Sequence, residues 1–177
     1  MHESLEFLYS EIREGLLPLF DGVIDHFTKG WNEKWHKDVV IVKKRFSTDY
    51  YFKLGTDCLG RYYRKHKPFA SPVEEIEYTV LFKMDPEDDF QIKGIIDRLD
   101  YLGDGKWEIH DYKTSSRSMS QADANQNRQL ALYQLGIQQV FDGVKKVDLV
   151  WHFLRHGEEV RSSRTVQELQ DLKTKVR

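Results

Sequence analysis

The sequence has one cysteine, Cys58, among its 177 residues. A single thiol cannot form an intramolecular disulfide, and it cannot supply the cysteine ligands of a zinc cage or an iron–sulfur cluster. This fits a reducing compartment and predicts that no iron–sulfur cluster is bound. Apolar runs such as Val39–Val42 are far shorter than the roughly 20 residues that cross a bilayer. The N-terminal residues include glutamates at the positions where a signal peptide has lysines. We therefore expect a cytoplasmic protein with no membrane partner.

An excess of one charge is also absent, because 27 Lys and Arg face 29 Asp and Glu, for a formal net charge of -2. Bulk charge therefore does not attract nucleic acid, and any contact with it must depend on a local basic strip. Only four prolines occur, and the chain has no internal repeat and no Gly/Ser-rich linker. We predict a single domain over residues 1–177.

Hydrophobic periodicity divides this domain into two parts. In residues 1–70 it predicts a helix from Ser4 to about Thr28, kinked at Pro18, and a second helix from Thr48 to His66. Residues 73–177 form the sheet-containing part. There, alternation and turn signals predict strands over 76–84, 91–102, 106–113, 147–154 and 158–162, a helix over 121–141 and a last helix after a capping box at Thr165–Glu168. This order predicts an α/β domain, a mixed β-sheet flanked by helices.

Two acids and a lysine form the clearest chemical pattern. Asp111 and Lys113 alternate on one predicted strand, so their side chains project from the same face. Asp97 lies on the preceding strand among apolar residues, where an unpaired carboxylate is costly. Carboxylates on adjacent strands suit Mg²⁺ or Mn²⁺. The alternative is two plain ion pairs, Asp97 with Arg98 and Asp111 with Lys113, and spacing alone does not decide between the two.

Three ordered motifs resemble the RecB-like branch of the PD-(D/E)XK nuclease superfamily. They are Gly94-Ile-Ile-Asp97-Arg98-Leu-Asp100, Asp111-Tyr-Lys113-Thr and Gln129-Leu-Ala-Leu-Tyr133. The resemblance implies a restriction-endonuclease-like core and a deoxyribonuclease that depends on Mg²⁺ or Mn²⁺. It favours an exonuclease over an endonuclease, acting at single-stranded ends or flaps in DNA recombination or repair. The implied substrate is DNA, and a helicase or another recombination or repair subunit is a candidate partner.

The resemblance also assigns roles to individual residues. It makes Asp97 and Asp111 metal ligands, adds the main-chain carbonyl of Tyr112 as a candidate ligand, and lets Lys113 orient or activate the attacking water. It also implies that Gln129 and Tyr133, which lie one helical turn apart, both face the active site and the DNA strand. The implied catalytic set is Asp97, Asp111, Lys113, Gln129 and Tyr133.

One departure from the family pattern bears on activity. Many relatives carry a metal-binding histidine on the helix after a Gly-Thr step, whereas here Gly55-Thr56 is followed by Leu59 at that position. An acid on the first strand, Glu75 or Glu77, is a candidate replacement acting through water. The missing histidine favours an alternative function, a catalytically impaired nuclease-like domain that binds DNA or a helicase. The intact acids and lysine favour catalysis.

Basic and hydroxyl side chains near the motifs are candidates for DNA contact. The predicted set is Ser115, Ser116, Arg117, Arg128, Arg61, Arg64, Lys65 and Lys67. The two serines and Arg117 follow Lys113 closely and could bind a phosphate, although serine-rich loops before helices also serve as plain caps. The basic residues that end the second helix equally suit a solvated surface stabilised by the helix dipole.

Overall fold

The computed structural model describes residues 1–85, 87, 89 and 91–176. Six helices and five strands lie within those residues. The helices are α1 (His2–Arg13), α2 (Phe20–Lys34), α3 (Thr48–His66), α4 (Gln121–Gln126), α5 (Arg128–Val140) and α6 (Val166–Val176). The strands are β1 (Val73–Phe82), β2 (Ile92–Gly103), β3 (Lys106–Lys113), β4 (Lys146–Phe153) and β5 (Glu158–Ser163).

The strands form one mixed sheet in the order β1-β2-β3-β4-β5. The first three are antiparallel neighbours, β3 and β4 are parallel, and β5 runs antiparallel to β4. A parallel pair needs a crossover connection, which α4 and α5 provide. The predicted fold class, a mixed sheet flanked by helices, is confirmed.

Each face of the sheet is covered by a separate hydrophobic core. On one face, Ile109 of β3 and Leu149 of β4 are fully buried with Leu130 and Ile137 of α5. On the other face, α1, α2 and α3 pack together and against the sheet in a cluster that includes Leu59. Full burial of one such side chain contributes about 1.5–3 kcal/mol. The two cores hold the strands between them, so polar groups at the strand ends have fixed positions.

The predicted first helix is wrong, because two helices occupy its range. Helix α1 ends before Gly15, which has a φ of +78° that side-chain-bearing residues rarely adopt, and Pro18 lies in the connection to α2. The predicted helix over 121–141 is also divided, at Asn127. There the backbone is extended and the side-chain oxygen accepts a hydrogen bond from the Gln129 N–H at 3.0 Å, so a new helix is capped.

Other predicted elements agree with the structure. Helix α3 and strand β3 have the predicted bounds. The capping box is present, since the Glu168 N–H donates to Thr165 Oγ1 at 3.2 Å and the Thr165 N–H donates to the Glu168 carboxylate at 2.8 Å. Among the described residues, no helix combines the length and the apolar character needed to cross a membrane.

Candidate active site

Strands β2 and β3 separate at Asp97, and we call this point of separation the fork. Their regular pairing reaches Arg98 opposite His110. The next free donor on β3, the Tyr112 N–H, donates to Asp97 Oδ2 at 2.7 Å. A side-chain carboxylate thus takes the position of a main-chain acceptor between the strands, and Asp97 is held at the fork by the sheet itself.

The direction of the β2 side chains changes at this fork. Ile96 packs in the core beside α5, whereas the Arg98 guanidinium lies 4.2 Å from the centre of the Tyr9 ring of α1, on the opposite face. Residues two apart on a regular strand share a face. Arg98 pairs with Asp100 instead, its Nε atom 2.9 Å from Asp100 Oδ1, so the alternative of an Asp97–Arg98 ion pair is wrong. The other half of that alternative, the Asp111–Lys113 ion pair, is present.

Strand β1 is irregular at the same level. Its pairing sets Ile76 opposite Arg98 and Tyr78 opposite Ile96, so Glu77 lies beside Asp97. Glu77 has a φ of +47°, which is uncommon for a residue with a side chain and is found at functional sites. Burial raises the pKa of Glu77, and the charge of Asp97 raises it further.

Of the two candidate acids on β1, the structure brings Glu77 to the fork. The Glu75 carboxylate instead lies 3.4 Å from the Arg13 guanidinium of α1, and both side chains are exposed by about 40% (38% and 40%). Strict alternation would place Glu75 and Glu77 on one face, so their different directions depend on the irregular backbone at Glu77 and on the register shift between Val73 and Glu75.

A line of polar contacts joins the second and third sequence motifs. The Lys113 Nζ lies 2.7 Å from Asp111 Oδ2 and donates to Oδ1 at 3.0 Å. The same ammonium donates to Gln129 Oε1 at 3.4 Å, and Gln129 Nε2 donates to the Tyr133 hydroxyl at 3.3 Å. Two motifs sixteen residues apart thus meet at the carboxyl end of β3.

Gly94 connects the first motif to the third. A Cβ atom at this position would lie 2.4 Å from Cε1 of Tyr133, closer than any real contact. The bare backbone of β2 therefore makes room for the Tyr133 ring, which places its hydroxyl beside Gln129. This packing gives the glycine of the first motif a steric role.

The site carries more negative than positive charge. Burial raises the pKa of Asp97, and the nearby Asp111 carboxylate raises it too, whereas the Tyr112 N–H and the charges of His2 and Lys113 act in the opposite direction. Lys113 is paired with Asp111, whereas the negative charge of Asp97 acts on Glu77 and raises its pKa. The carboxylates of Asp97 and Asp111 and the main-chain carbonyl of Tyr112 are oxygen ligands of the kind that a hard divalent cation prefers. The residues present therefore fit a divalent metal ion.

One residue at the site, His2, was not singled out from the sequence. The His2 Nε2 atom lies 2.7 Å from the Tyr112 carbonyl oxygen and 3.6 Å from Asp97 Oδ2. A lone histidine in the first turn of an amphipathic helix gives little signal by itself, and 95 residues separate it from Asp97. Only the packing of α1 against the sheet brings them together.

The predicted DNA-contact residues divide into two groups. Ser115, Ser116 and Arg117 are exposed in the loop that leaves β3 after Lys113, and Arg128 is exposed at the start of α5, next to Gln129. The Ser115 hydroxyl donates to the Arg117 carbonyl at 2.7 Å, which fixes the turn. This group thus contains two exposed basic side chains, close along the chain to Lys113 and Gln129.

The second group lies on α3, on the other face of the sheet. The Arg61 guanidinium donates to the carbonyls of Leu154 and Arg155 at 3.5 and 2.9 Å, and the Lys65 ammonium donates to the Gly157 carbonyl at 3.1 Å. These contacts fasten α3 to the turn between β4 and β5. Arg64 and Lys67 are exposed on the same helix end, away from Gln129.

A second polar cluster lies on the opposite face of β2, β3 and β4. We call it the buried network, and its members are Arg98, Asp100, Glu108, His110 and His152. Arg98 Nε lies 2.9 Å from Asp100 Oδ1, and Arg98 Nη1 donates to the Tyr62 hydroxyl at 3.0 Å. His110 Nε2 lies 3.1 Å from Asp100 Oδ2, and His110 Nδ1 lies 2.8 Å from His152 Nε2. Acids and bases are paired throughout.

Metal-type ligands also cluster in and around this network. Ligand atoms of Asp100, Glu108 and His110 lie within 4.8 Å of one another, and so do those of His66, His152 and Glu159. Arginine side chains already balance these acids, since Arg161 lies 2.5 Å from Glu108 and 2.7 Å from Glu159. The close approach of the ligands is therefore explained by ion pairing.

Comparison with known proteins places the chain in a family. A family model described as the PD-(D/E)XK nuclease superfamily matches residues 1–177. The chain belongs to this superfamily, whose members use divalent metal ions. Membership of this superfamily supports a nuclease activity for the protein.

Comparison with individual proteins adds less. No curated protein matches the chain. The fold is similar to a crystal structure from Eubacterium rectale that is provisionally described as an exonuclease, with a TM-score of 0.48 and 13% identity. That alignment covers 98% of this chain, which spans 63% of the length of the other.

Proposed function

We propose that this protein is a metal-dependent deoxyribonuclease of the RecB-like kind. The observation that carries the proposal is the continuous polar line from Asp111 through Lys113 and Gln129 to Tyr133, beside the half-buried carboxylate of Asp97. All five residues belong to the motifs that resemble this branch. Within a nuclease superfamily, such a group at strand ends supports phosphodiester hydrolysis.

The carboxylates of Asp97 and Asp111 and the carbonyl of Tyr112 would hold Mg²⁺ or Mn²⁺. Such an ion supplies a nucleophilic water at neutral pH and offsets the charge of the scissile phosphate. Asp97 suits this role because the Tyr112 N–H fixes its Oδ2 atom at 2.7 Å and so preorganises the carboxylate. Glu77 is placed to accept a hydrogen bond from water beside Asp97.

Lys113 would supply a positive hydrogen-bond donor to the attacking water or to the phosphate. Its ammonium is held from two sides, by the Asp111 carboxylate and the Gln129 amide oxygen, which limits its motion. Donors fixed in advance toward developing charge are among the strongest contributions to catalysis. Gln129 and Tyr133 would then orient the DNA strand at this ammonium.

The DNA strand would approach over the loop that follows β3. Ser115, Ser116, Arg117 and Arg128 are exposed there and offer hydroxyl and guanidinium donors to phosphates. A narrow basic strip of this kind suits single-stranded ends or flaps, consistent with an exonuclease in recombination or repair. A helicase or another repair subunit would supply such ends.

A nuclease assay with labelled substrates tests the proposal. Linear single-stranded DNA, linear duplex, covalently closed single-stranded circles and single-stranded RNA are incubated with a chelator, Mg²⁺ or Mn²⁺. We expect metal-dependent loss of the linear single strand and persistence of the circles. Cleavage of circles would identify an endonuclease, and cleavage of RNA alone would exclude DNA as the substrate.

A second candidate function is a catalytically impaired module that binds DNA or a helicase. Leu59 favours it, because this residue is 1% exposed in the helical core where many relatives carry a ligand histidine. If Mn²⁺ binds and DNA binds but no substrate is cleaved, this second function takes precedence.

A further inference from the structure

We propose that His2 is a ligand of the divalent cation held by Asp97 and Asp111. The inference rests on the proposed function and adds to it a nitrogen ligand from an unexpected element, α1. It assigns a role to a side chain that lies outside the three motifs.

The distances around His2 carry the inference. Ligand atoms about 2.1 Å from an octahedral cation and adjacent to one another lie about 3 Å apart. The His2 Nε2 atom lies 2.7 Å from the Tyr112 carbonyl oxygen and 3.6 Å from Asp97 Oδ2. The two distances lie on either side of the expected one, and both partner atoms are oxygens that a cation would use.

The packing of α1 holds His2 at this point. Leu5 and Leu8 are fully buried, and the Tyr9 hydroxyl hydrogen-bonds the Tyr62 hydroxyl at 2.7 Å. The Tyr9 ring also lies under the guanidinium of Arg98, the residue that directly follows Asp97. Since seven residues of helix span about 10 Å, this anchor fixes the start of α1 over the fork.

A plain hydrogen bond is the competing explanation of the same geometry. With its proton on Nε2, the imidazole donates to the Tyr112 carbonyl and only positions it. With the proton on Nδ1, Nε2 offers a lone pair to a cation. The two explanations differ in whether a nitrogen is bonded directly to the metal, and this is measurable.

A nitrogen ligand also changes the choice of metal. Mg²⁺ prefers oxygen ligands and gives up its waters reluctantly, so replacing one water by an imidazole nitrogen favours Mn²⁺ over Mg²⁺. We therefore expect the wild-type protein to bind Mn²⁺ more tightly than Mg²⁺, and His2→Ala to reduce that ratio. A change in this ratio indicates loss of a metal ligand, because loss of a hydrogen bond alone would reduce the affinities for Mn²⁺ and Mg²⁺ by the same factor.

The experiment uses calorimetry and pulsed electron paramagnetic resonance of bound Mn²⁺ with the whole chain. Wild type should show a directly coordinated nitrogen, and His2→Ala should lose that signal and at least about tenfold in Mn²⁺ affinity, the loss that even outer-shell partners produce. His26→Ala is the matched control. His26 lies on α2, stacked on Phe7 of α1 at 4.6 Å, and its removal should leave the signal unchanged.

The outcomes separate this inference from the proposed function. If wild type binds no Mn²⁺, or if Asp97→Asn leaves its affinity unchanged, the metal site itself is wrong. If wild type binds Mn²⁺ through Asp97 but shows no nitrogen coupling, or if His2→Ala retains it, His2 is not a ligand and the nuclease proposal stands. Circular dichroism of each variant establishes that α1 remains folded.

Discussion

Two groups of charged residues share strands β2 and β3, and they differ in whether their acids have bases beside them. The open site contains Asp97, Glu77 and Asp111 with Lys113. In it, burial raises the pKa of Asp97 and Glu77, and the neighbouring carboxylates raise both further. These acids have too little positive charge beside them to offset that rise in pKa.

The buried network shows the opposite shift. The hydrogen bond from His110 lowers the pKa of Glu108 to about 2, against the effect of burial and with help from Arg161. Burial would raise the pKa of Asp100, but His110 and Arg98 outweigh it, so this pKa is lowered. Burial acts to raise the pKa in both groups, so the comparison teaches that the partners of an acid decide whether its pKa ends above or below the ordinary value. Perturbed, unbalanced acids in an accessible place indicate function.

The largest expected effect comes from breaking the buried network at Arg98. Arg98→Met leaves Asp100, which is 1% exposed, without its guanidinium partner. Removing one member of a buried ion pair costs about 3–5 kcal/mol. Urea unfolding should show this loss, whereas Arg117→Met at an exposed position should change the free energy of unfolding by less than about 0.5 kcal/mol. Equal effects of the two substitutions would contradict the structural role of the network.

The next effect is on activity at the open site. Lys113→Ala should reduce DNA cleavage about a hundredfold or more, because it removes a fixed positive donor. The unfolding midpoint should fall less than in Arg98→Met, since the Lys113 side chain is 32% exposed, although its partner Asp111 is only 9% exposed. Lys106→Ala, at the other end of β3, is the control and should cleave normally. Parental cleavage by Lys113→Ala would make Lys113 a structural residue.

The pH dependence of stability should have opposite signs in the two groups. The lowered pKa of Glu108 contributes stability that is present above its ordinary value of 4.5 and is lost as the pH falls toward about 2. The raised pKa of Asp97 contributes stability that is present below its ordinary value of 3.8 and is lost as the pH rises through the folded-state pKa.

Two isosteric variants check these signs in metal-free buffer. Glu108→Gln should flatten the loss of stability between pH 4.5 and 2 by about 1–3 kcal/mol. Asp97→Asn should raise the stability at neutral pH. The amide side chain introduced by Asp97→Asn keeps an oxygen that can accept the Tyr112 N–H. A destabilised Asp97→Asn protein at pH 7 would mean that the open site is already balanced.

The smallest effect concerns the salt dependence of DNA binding. Charge reversal of Arg117 and Arg128 together should weaken binding of single-stranded DNA and reduce the salt slope by about 0.7 for each phosphate that is no longer neutralised. The control reverses Lys145 and Lys146, which lie at the opposite end of the parallel β3–β4 pair. Fluorescence anisotropy at several salt concentrations measures the slopes. Equal weakening by both pairs of reversals would remove DNA from the open site.

The sequence by itself determined the elements whose signals are local. Period and turn residues predicted α3, β3 and the mixed sheet, because apolar spacing and glycine turns act over a few residues. Alternation also placed Asp111 and Lys113 on one face, as the 2.7 Å contact shows. The motifs indicated the superfamily. The breaks at Gly15 and Asn127 were missed, since apolar periodicity continues across both.

Only the tertiary structure decided what meets at the fork. The position of Asp97 between two diverging strands, the choice of Glu77 over Glu75 and the arrival of His2 all depend on contacts between distant segments. The reason for a glycine at position 94 likewise becomes clear only from its contact with the Tyr133 ring. Sequence patterns report which face a side chain occupies on its own element, whereas distances between elements are set by how the two cores pack. Because α1 is anchored through Leu5, Leu8 and Tyr9, that packing rather than any spacing rule brings an imidazole to the carboxylates.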